Sequence, residues 1–243
     1  MSAQMNNPNF QPLYNQVKNL IIRRLVDNEW TAGMALPSEH QLAAEFKVSQ
    51  GTVRKALDEM AAQNLLIRLQ GRGTFVAEHT QQRALFHFWH LVGENDSRQL
   101  PQSKVISIET VQADDQELEL LELKSDAQII RICRVRLLNE QPVICETISI
   151  PYALFPELGQ QDVLIPNSLY SLYERQYGLS VTRAIERLTA ESARGEVAKR
   201  LELEPGTPLL TIKRIAYTLN SRPVELRISR CNTQHHHYLS ELT

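Results

Sequence analysis

Gln50, Thr52, Arg54 and Lys55 fall within one short stretch, and each can donate hydrogen bonds. Donors of this kind suit base-pair edges, where arginine favours guanine and glutamine can pair with adenine. Arg72 stands between Gly71 and Gly73, so its cation can approach a phosphate or a narrow groove unobstructed by neighbouring side chains. Arg134 and Arg136 are two residues apart and share one face if their segment is a strand; a guanidinium fork matches a carboxylate or a phosphate. His235, His236 and His237 follow Cys231, and alternate strand residues such as His235 and His237 could chelate a metal from one face. The sequence has no G-x-S-x-G, no H-E-x-x-H and no P-loop, which argues against hydrolase, zincin and nucleotidase chemistry.

Three helices are predicted to position the first group. Leu13, Val17, Leu20, Ile21 and Leu25 give the rhythm of an amphipathic helix between Pro12 and Asn28, with Arg23 and Arg24 off its apolar stripe. Ser38 stands three residues before Gln41, a capping pattern, and Leu42, Ala43 and Phe46 supply the buried face of a short second helix. Ser49 can cap a third helix that buries Val53, Ala56, Leu57 and Met60. Gln50, Thr52, Arg54 and Lys55 then lie near its N-terminal end, off the buried face. Leu66–Leu69 and Thr74–Ala77 read as a hairpin around Gln70-Gly71-Arg72-Gly73. Two helices joined by a tight turn can set the second in a DNA major groove, and a following hairpin can reach the neighbouring backbone. Ser38 and Ser49 serve as caps in this reading, and a phosphate contact at either helix start is compatible with that role.

After a polar linker at residues 79–84 the patterning changes to alternating strands. Leu121-Glu122-Leu123, Ile132 and Arg134 recur 80 residues later at Leu201-Glu202-Leu203, Ile212 and Arg214; Asn139, Pro142 and Val143 recur at an offset of 81 as Asn220, Pro223 and Val224. Each copy reads as helix, strand, three-residue turn and strand, which fits a two-copy antiparallel sheet flanked by helices. The segment Ile130–Leu138 puts Ile130, Ile132, Arg134, Arg136 and Leu138 on one face. If Asn139-Glu140-Gln141 is the turn, Arg134 faces Glu146 and Arg136 faces Ile144. Two readings of this pair stand side by side: an Arg134–Glu146 ion pair with Arg136 at the sheet's edge, or an anchor for an acidic small molecule built on Arg136 with help from Arg134. Ser168 is placed as the cap of a helix that runs to about Gln176 with Tyr170 in its first turn, and its N-terminus is a ready anion site.

The 243 residues, 42% hydrophobic and 22% charged, describe a folded chain of one or two domains rather than a disordered one. Cys133, Cys145 and Cys231 form no CxxC pair, in keeping with reduced thiols and a cytoplasmic location. The longest charge-free window after Lys18 is Val163–Tyr173, too short to span a membrane. Residues 1–78 hold 8 basic against 7 acidic side chains, so overall charge does not announce a nucleic-acid partner.

The segments Leu36-Pro37-Ser38-Glu39, Phe46-Lys47-Val48-Ser49, Thr52-Val53-Arg54-Lys55-Ala56-Leu57 and Gly71-Arg72-Gly73-Thr74-Phe75-Val76 resemble the winged helix-turn-helix domain of the GntR regulators. That resemblance covers nearly all of residues 12–77. Arg134-Val135-Arg136, Pro142-Val143 with Glu146, Ser168-Leu169-Tyr170, Tyr177-Gly178 and Arg222-Pro223-Val224-Glu225 resemble the UTRA effector domain of the HutC branch. The resemblance implies an α+β protein: a winged helix-turn-helix domain at residues 10–78 and, at residues 85–240, an antiparallel-sheet domain of chorismate-lyase-like fold that binds effector and dimerises. It assigns DNA contacts to Ser38, Ser49, Gln50, Thr52, Arg54, Lys55, Gly71, Arg72 and Gly73. Effector contacts fall to Arg134, Arg136, Glu146, Ser168, Tyr170 and Glu225. The expected protein is a homodimeric, cytoplasmic, sequence-specific regulator, a repressor released from a palindromic double-stranded DNA operator by a small acidic metabolite, with neither catalytic residue nor cofactor nor membrane partner. Family ligands include urocanate, sugar phosphates, phosphonates and fatty acids. Gln50 departs from the arginine found in many relatives, and Phe86-His87-Phe88-Trp89-His90 is aromatic where many relatives differ, a candidate wall of the cleft. A metal-responsive regulator using Cys231 and the three histidines, and an enzyme of chorismate-lyase type, are the alternatives.

Overall fold

The structure, a computed structural model, describes residues 11–78, 90–94, 99–159 and 165–240. The expected linker at 79–84 and the aromatic residues 86–89 lie outside the described residues. Contacts divide the chain into two units, Met1–Glu78 and His79–Thr243.

The first unit is three helices and a hairpin: α1 (Leu13–Val26), α2 (Glu39–Phe46), α3 (Gln50–Ala62), β1 (Leu66–Leu69) and β2 (Gly73–Val76). Val17 and Ile21 of α1, Leu42 of α2 and Val53, Ala56, Leu57 and Met60 of α3 are the buried residues of its helices. Helix α2 starts with a reciprocal cap: Ser38 Oγ accepts from the Gln41 N–H at 3.3 Å, and Gln41 Oε1 accepts from the Ser38 N–H at 2.9 Å. Its end is set by Lys47, whose φ of 55° turns the chain left-handed, and within two residues Ser49 caps α3 by accepting from the Thr52 N–H at 3.2 Å. The second hairpin strand starts at Gly73, one residue earlier than the pattern suggested, because Leu69 pairs with Gly73 and the turn is only Gln70–Arg72. Gly71 and Gly73 hold φ of 73° and 110°, which side-chain-bearing residues rarely adopt. Ser38→Ala removes one half of the α2 cap and is expected to cost about 1 kcal/mol, read as a lower urea midpoint with an unchanged slope.

The second unit is a six-stranded antiparallel sheet in the order β4-β5-β6-β9-β8-β7. Its elements are β4 (Gln102–Gln112), α4 (Asp115–Leu120), β5 (Gln128–Leu138), β6 (Gln141–Pro151), α5 (Leu169–Tyr177), β7 (Val181–Ser192), α6 (Gly195–Arg200), β8 (Pro208–Thr218) and β9 (Pro223–Asn232). The order reads alike from both edges because β4–α4–β5–β6 is repeated as β7–α6–β8–β9, and the copies meet where β6 pairs with β9. The internal similarity is therefore a duplication, with a leading strand in each copy that the motif comparison did not include. The repeated Leu-Glu-Leu is a helix stop. Glu122 and Glu202 take φ of 53° and 57°, and the Leu123 and Leu203 N–H groups reach back to the Leu118 and Ala198 carbonyls, both at 2.9 Å.

The β5–β6 turn has two residues instead of three: Asn139 and Glu140 take φ of 48° and 65°, and Leu138 pairs with Gln141. A bulge between Arg136 and Leu137 takes up the extra residue, so Arg134 still faces Glu146 and Arg136 still faces Ile144. Across the face that carries these arginines lies the largest core. Ile130, Ile132, Ile148 and Ile150 pack beneath Leu169, Leu172 and Tyr173 of α5 and beneath Phe155. On the opposite face α6 packs Ala198, with Leu201 just after it, around Cys145 and Leu209. A separate two-stranded ribbon, β3 (Leu91–Gly93) with β10 (His236–Tyr238), joins the start of this unit to its end. Among the described residues no helix is long and apolar enough to cross a membrane.

Candidate functional site

Two surfaces carry chemistry, one in each unit. In the first, Ser38, Ser49, Gln50, Arg54, Lys55, Gly71, Arg72 and Gly73 are all exposed and Thr52 is half-buried. The two caps bring their helix starts close together in sequence, and Thr52 Oγ1 shares a 2.8 Å hydrogen bond with Ser49 Oγ. Arg54 donates from Nε and Nη2 to one oxygen of Glu39, at 3.0 and 2.9 Å. Glu39, the first residue of α2, also accepts from Arg68, which in turn binds Asp58. The hydrogen bond from Arg54 leads in holding the Glu39 carboxyl below its ordinary range, with Arg68 adding and burial opposing. Sequence periodicity did not foresee this link between α2 and α3, although the i-residues of two short helices in a tight turn are obvious neighbours once folded. Lys55 places its ammonium 4.0 Å from the centroid of the Tyr14 ring, a cation–π contact that steadies its stem. At the hairpin tip nothing stands within 4 Å of where a side chain on Gly71 or Gly73 would project.

The second surface is a cavity of about 800 Å³, its open mouth included. Its floor is the sheet face that carries Arg134, Arg136, Glu146, Arg214, Arg227 and Ser229; its walls are Asn167–Tyr170, Leu100 with Pro101, and the ribbon residues His90, Leu91 and Tyr238. Of the six residues anticipated for effector contact, Arg134, Arg136, Glu146, Ser168 and Tyr170 line it, and Glu225 does not. Glu225 lies beside Arg227 on the same face of β9, fully buried. Arg227 grips it with two parallel bonds of 2.9 and 2.8 Å, while Tyr173 donates at 2.8 Å and Tyr170 at 3.2 Å. Four donors fill the lone pairs of this carboxylate, so it orients Tyr170 and Arg227 instead of facing the space. Ser168 occupies the N-cap position of α5, yet its side chain makes no capping bond. The helix start therefore opens onto the cavity without a side-chain acceptor from Ser168, as its backbone N–H groups require if an outside anion is to use them.

Glu146 sits among three guanidinium groups. Arg134 Nε donates to it at 2.5 Å, Ser229 Oγ at 3.2 Å, and Arg136 and Arg227 approach to 3.7 and 3.8 Å. Burial pushes the Glu146 carboxyl up, but Arg134, Arg227 and Arg136 together outweigh it and hold the group well below the usual carboxylate range. For Arg136 the balance disfavours the charged form: burial and the like charges of Arg134 and Arg227 bring its guanidinium down to about 9. Of the two open readings, the Arg134–Glu146 ion pair is present, whereas Arg136 lies on an inner strand and not at the sheet's edge. Arg134 is the closer partner of Glu146, and Arg136, buried in the floor, is the cation whose charged form burial and its like-charged neighbours disfavour. A carboxylate with a lowered folded value contributes stability that is present above its unfolded value, near 4.5, and is lost as the pH falls toward the folded one. Thermal midpoints followed from neutral pH into acid should accordingly fall more steeply for the wild type than for Glu146→Gln.

Arg214, Arg227 and Ser229 also face the cavity, and the sequence reading missed them as site residues. The signals were present: Arg214 is the repeat partner of Arg134, and Glu225, Arg227 and Ser229 alternate along one face of β9. The strand placement on which the metal reading stood is corrected. Strand β10 begins at His236, so His235 precedes it and pairs through Nδ1 with Glu94 at 3.0 Å, while Cys231 is buried in the cavity floor, its thiol pushed far up by burial. Among the described residues no group of three or more His, Cys, Asp or Glu side chains stands close enough to hold a metal.

Comparison with known proteins finds a match for each unit. Residues 13–76 match the family described as "Bacterial regulatory proteins, gntR family", and residues 97–237 match the UTRA domain. The chain is 32% identical over 215 residues to the transcriptional repressor NagR of Bacillus subtilis, covering 88% of each chain. It is 29% identical to the mannosyl-D-glycerate transport/metabolism system repressor MngR of Escherichia coli, covering 92% of each. The solved ligand-binding domain of a GntR-family regulator from Bordetella bronchiseptica aligns with a TM-score of 0.61 and 30% identity over 63% of this chain and 96% of that one.

Proposed function

The chain belongs to the GntR family of bacterial regulatory proteins, in the HutC branch that carries a UTRA domain, and from that premise we propose a repressor that leaves a palindromic operator when a small acidic effector enters the cavity. The family is regulatory, and the lyase-type enzyme reading falls away with it. The N-terminal end of α3 reads base edges in the major groove, and Arg72 reaches phosphate or minor groove from the hairpin tip. A homodimer in the cytoplasm presents two such units to two half-sites.

The observation that carries the effector reading is a charge count at one cavity. Four guanidiniums, Arg134, Arg136, Arg214 and Arg227, are gathered there with three carboxylates, Glu146, Glu186 and Glu225. An incoming carboxylate or phosphate adds negative charge to a cluster in which, among the described residues, these guanidiniums outnumber the carboxylates that pair with them, with the start of α5 offering backbone N–H groups to the same anion. Arg136 and Arg134 are the anchors, Ser168 and Tyr170 line the entry, and Glu225 acts as a positioning residue. An effector that binds the DNA-incompetent arrangement more tightly shifts a pre-existing equilibrium and empties the operator.

Fluorescence anisotropy with the duplex upstream of the chain's own gene tests this, repeated with a panel of carboxylates and phosphate esters. Tight binding that weakens steeply with salt and is reversed by an acidic member of the panel is the expected result. Reversal by uncharged compounds alone, or equal affinity for random duplex, would count against the proposal.

A further inference from the structure

The ribbon wall of the cavity is wired to its floor through one carboxylate. Arg214 Nε and Nη2 both reach Glu186 Oε1, at 2.6 and 2.5 Å. The other oxygen of Glu186 accepts a short hydrogen bond from the Tyr238 hydroxyl. Tyr238 belongs to β10, and its ring packs at a tilt against His90 with centroids 5.1 Å apart. The Leu239 N–H donates to the His90 carbonyl at 2.8 Å, and Tyr238 pairs with Leu91 in the ribbon ladder. Arg214, Tyr238, His90 and Leu91 all line the cavity. Glu186 is nearly buried on the edge strand β7, and Arg214 and Tyr238 both favour its charged form.

Strand β3 is the first described strand after the DNA-binding unit in the chain. We infer that Tyr238, acting through Glu186, is a positioning residue that ties the β3–β10 ribbon to the state of Arg214, so that an anion in the cavity fixes the first described strand of the effector unit. The inference rests on the anion-site reading above. An anion drawn to Arg214 fixes the guanidinium plane from the cavity side, while Glu186 fixes it from behind. The carboxylate then has one orientation, and its second oxygen presents a charged acceptor to Tyr238. Ordering at the floor becomes ordering of the ribbon without any direct ligand contact to β3.

Hydrogen exchange on the full chain, with and without inorganic phosphate as the probe, tests this. In the wild type, phosphate should slow exchange in the peptides of β5 and the start of α5, and should slow the ribbon peptides at 90–94 and 236–240 about fivefold, the low end of ordinary coupling factors. Tyr238→Phe removes only the hydroxyl, and the ribbon response should collapse relative to the β5 and α5 response. Glu186→Gln keeps an acceptor for Tyr238 but loses the charge that holds Arg214, and should give the same collapse. A ribbon response that keeps its ratio to the β5 and α5 response in both variants overturns the relay while leaving the anion site standing. A wild type in which phosphate slows neither β5 and α5 nor the ribbon overturns the anion-site reading and the relay with it.

Discussion

Arg54→Ala is expected to lose about 1–3 kcal/mol of operator affinity per half-site, while affinity for random duplex falls only slightly. In the proposed role the effect is selective, because a base-reading Arg54 differs from cations that contact only phosphate. It projects near the N-terminal end of α3 with most of its side chain in solvent, and its guanidinium is pre-oriented by two hydrogen bonds to Glu39 at 3.0 and 2.9 Å. A fork held in one plane loses less freedom on meeting a guanine edge than a mobile one. Lys55→Ala, which removes a cation resting on the Tyr14 ring, should weaken both duplexes alike and lower the salt slope by about one unit. Competition anisotropy with operator and random duplex separates these outcomes. An Arg54→Ala protein that discriminates as well as wild type would remove Arg54 from base readout.

Arg134→Ala and Arg136→Ala should part company, although the two residues sit on one strand face. Arg134 donates to Glu146 at 2.5 Å, both groups being almost fully buried. Removing it leaves a buried carboxylate with its main partner gone, which typically costs about 3–5 kcal/mol. Arg136 stands 3.7 Å from the same carboxylate, and burial with its cationic neighbours disfavours its charged form. Its loss should leave the denaturation midpoint unchanged or slightly raised, yet raise the effector concentration needed to empty the operator by roughly tenfold or more, the worth of a charge-assisted hydrogen bond. Denaturant melts and operator-release titrations on the same two proteins check both halves. Equal destabilisation by both substitutions would contradict the division of labour between them.

What could be read from the sequence was what local chemistry determines. Ser38 with Gln41 and Ser49 with Thr52 announce helix starts by short-range hydrogen bonding, and the structure carries both bonds. The pairing of Arg134 with Glu146 was legible for a different reason: buried alternation fixes which residues face which, and a bulge absorbed the one residue by which the turn was misjudged. The edge strands β4 and β7 were harder to see because half of their surface is solvated, so their polar residues do not alternate cleanly. The ribbon had no local signal at all. Three residues near one end of the unit pair with three near the other, and only the assembled sheet brings them together. Glu225 shows a further limit: the resemblance set it among the effector contacts, but its fourfold saturation by Arg227, Tyr170 and Tyr173 is a fact of packing. Ser168 held the cap position without making the cap, which in a cavity wall is what leaves the helix start available.

The central claim is that an anion lodges between Arg136, Arg134 and the open start of α5. A crystal structure of the full chain with the compound that releases it from its operator tests that most directly. The account predicts a carboxylate or phosphate oxygen within hydrogen-bond distance of the Arg136 guanidinium and of a backbone N–H in the first turn of α5. A releasing compound bound elsewhere, or bound in the cavity with an uncharged group against Arg136, would contradict it.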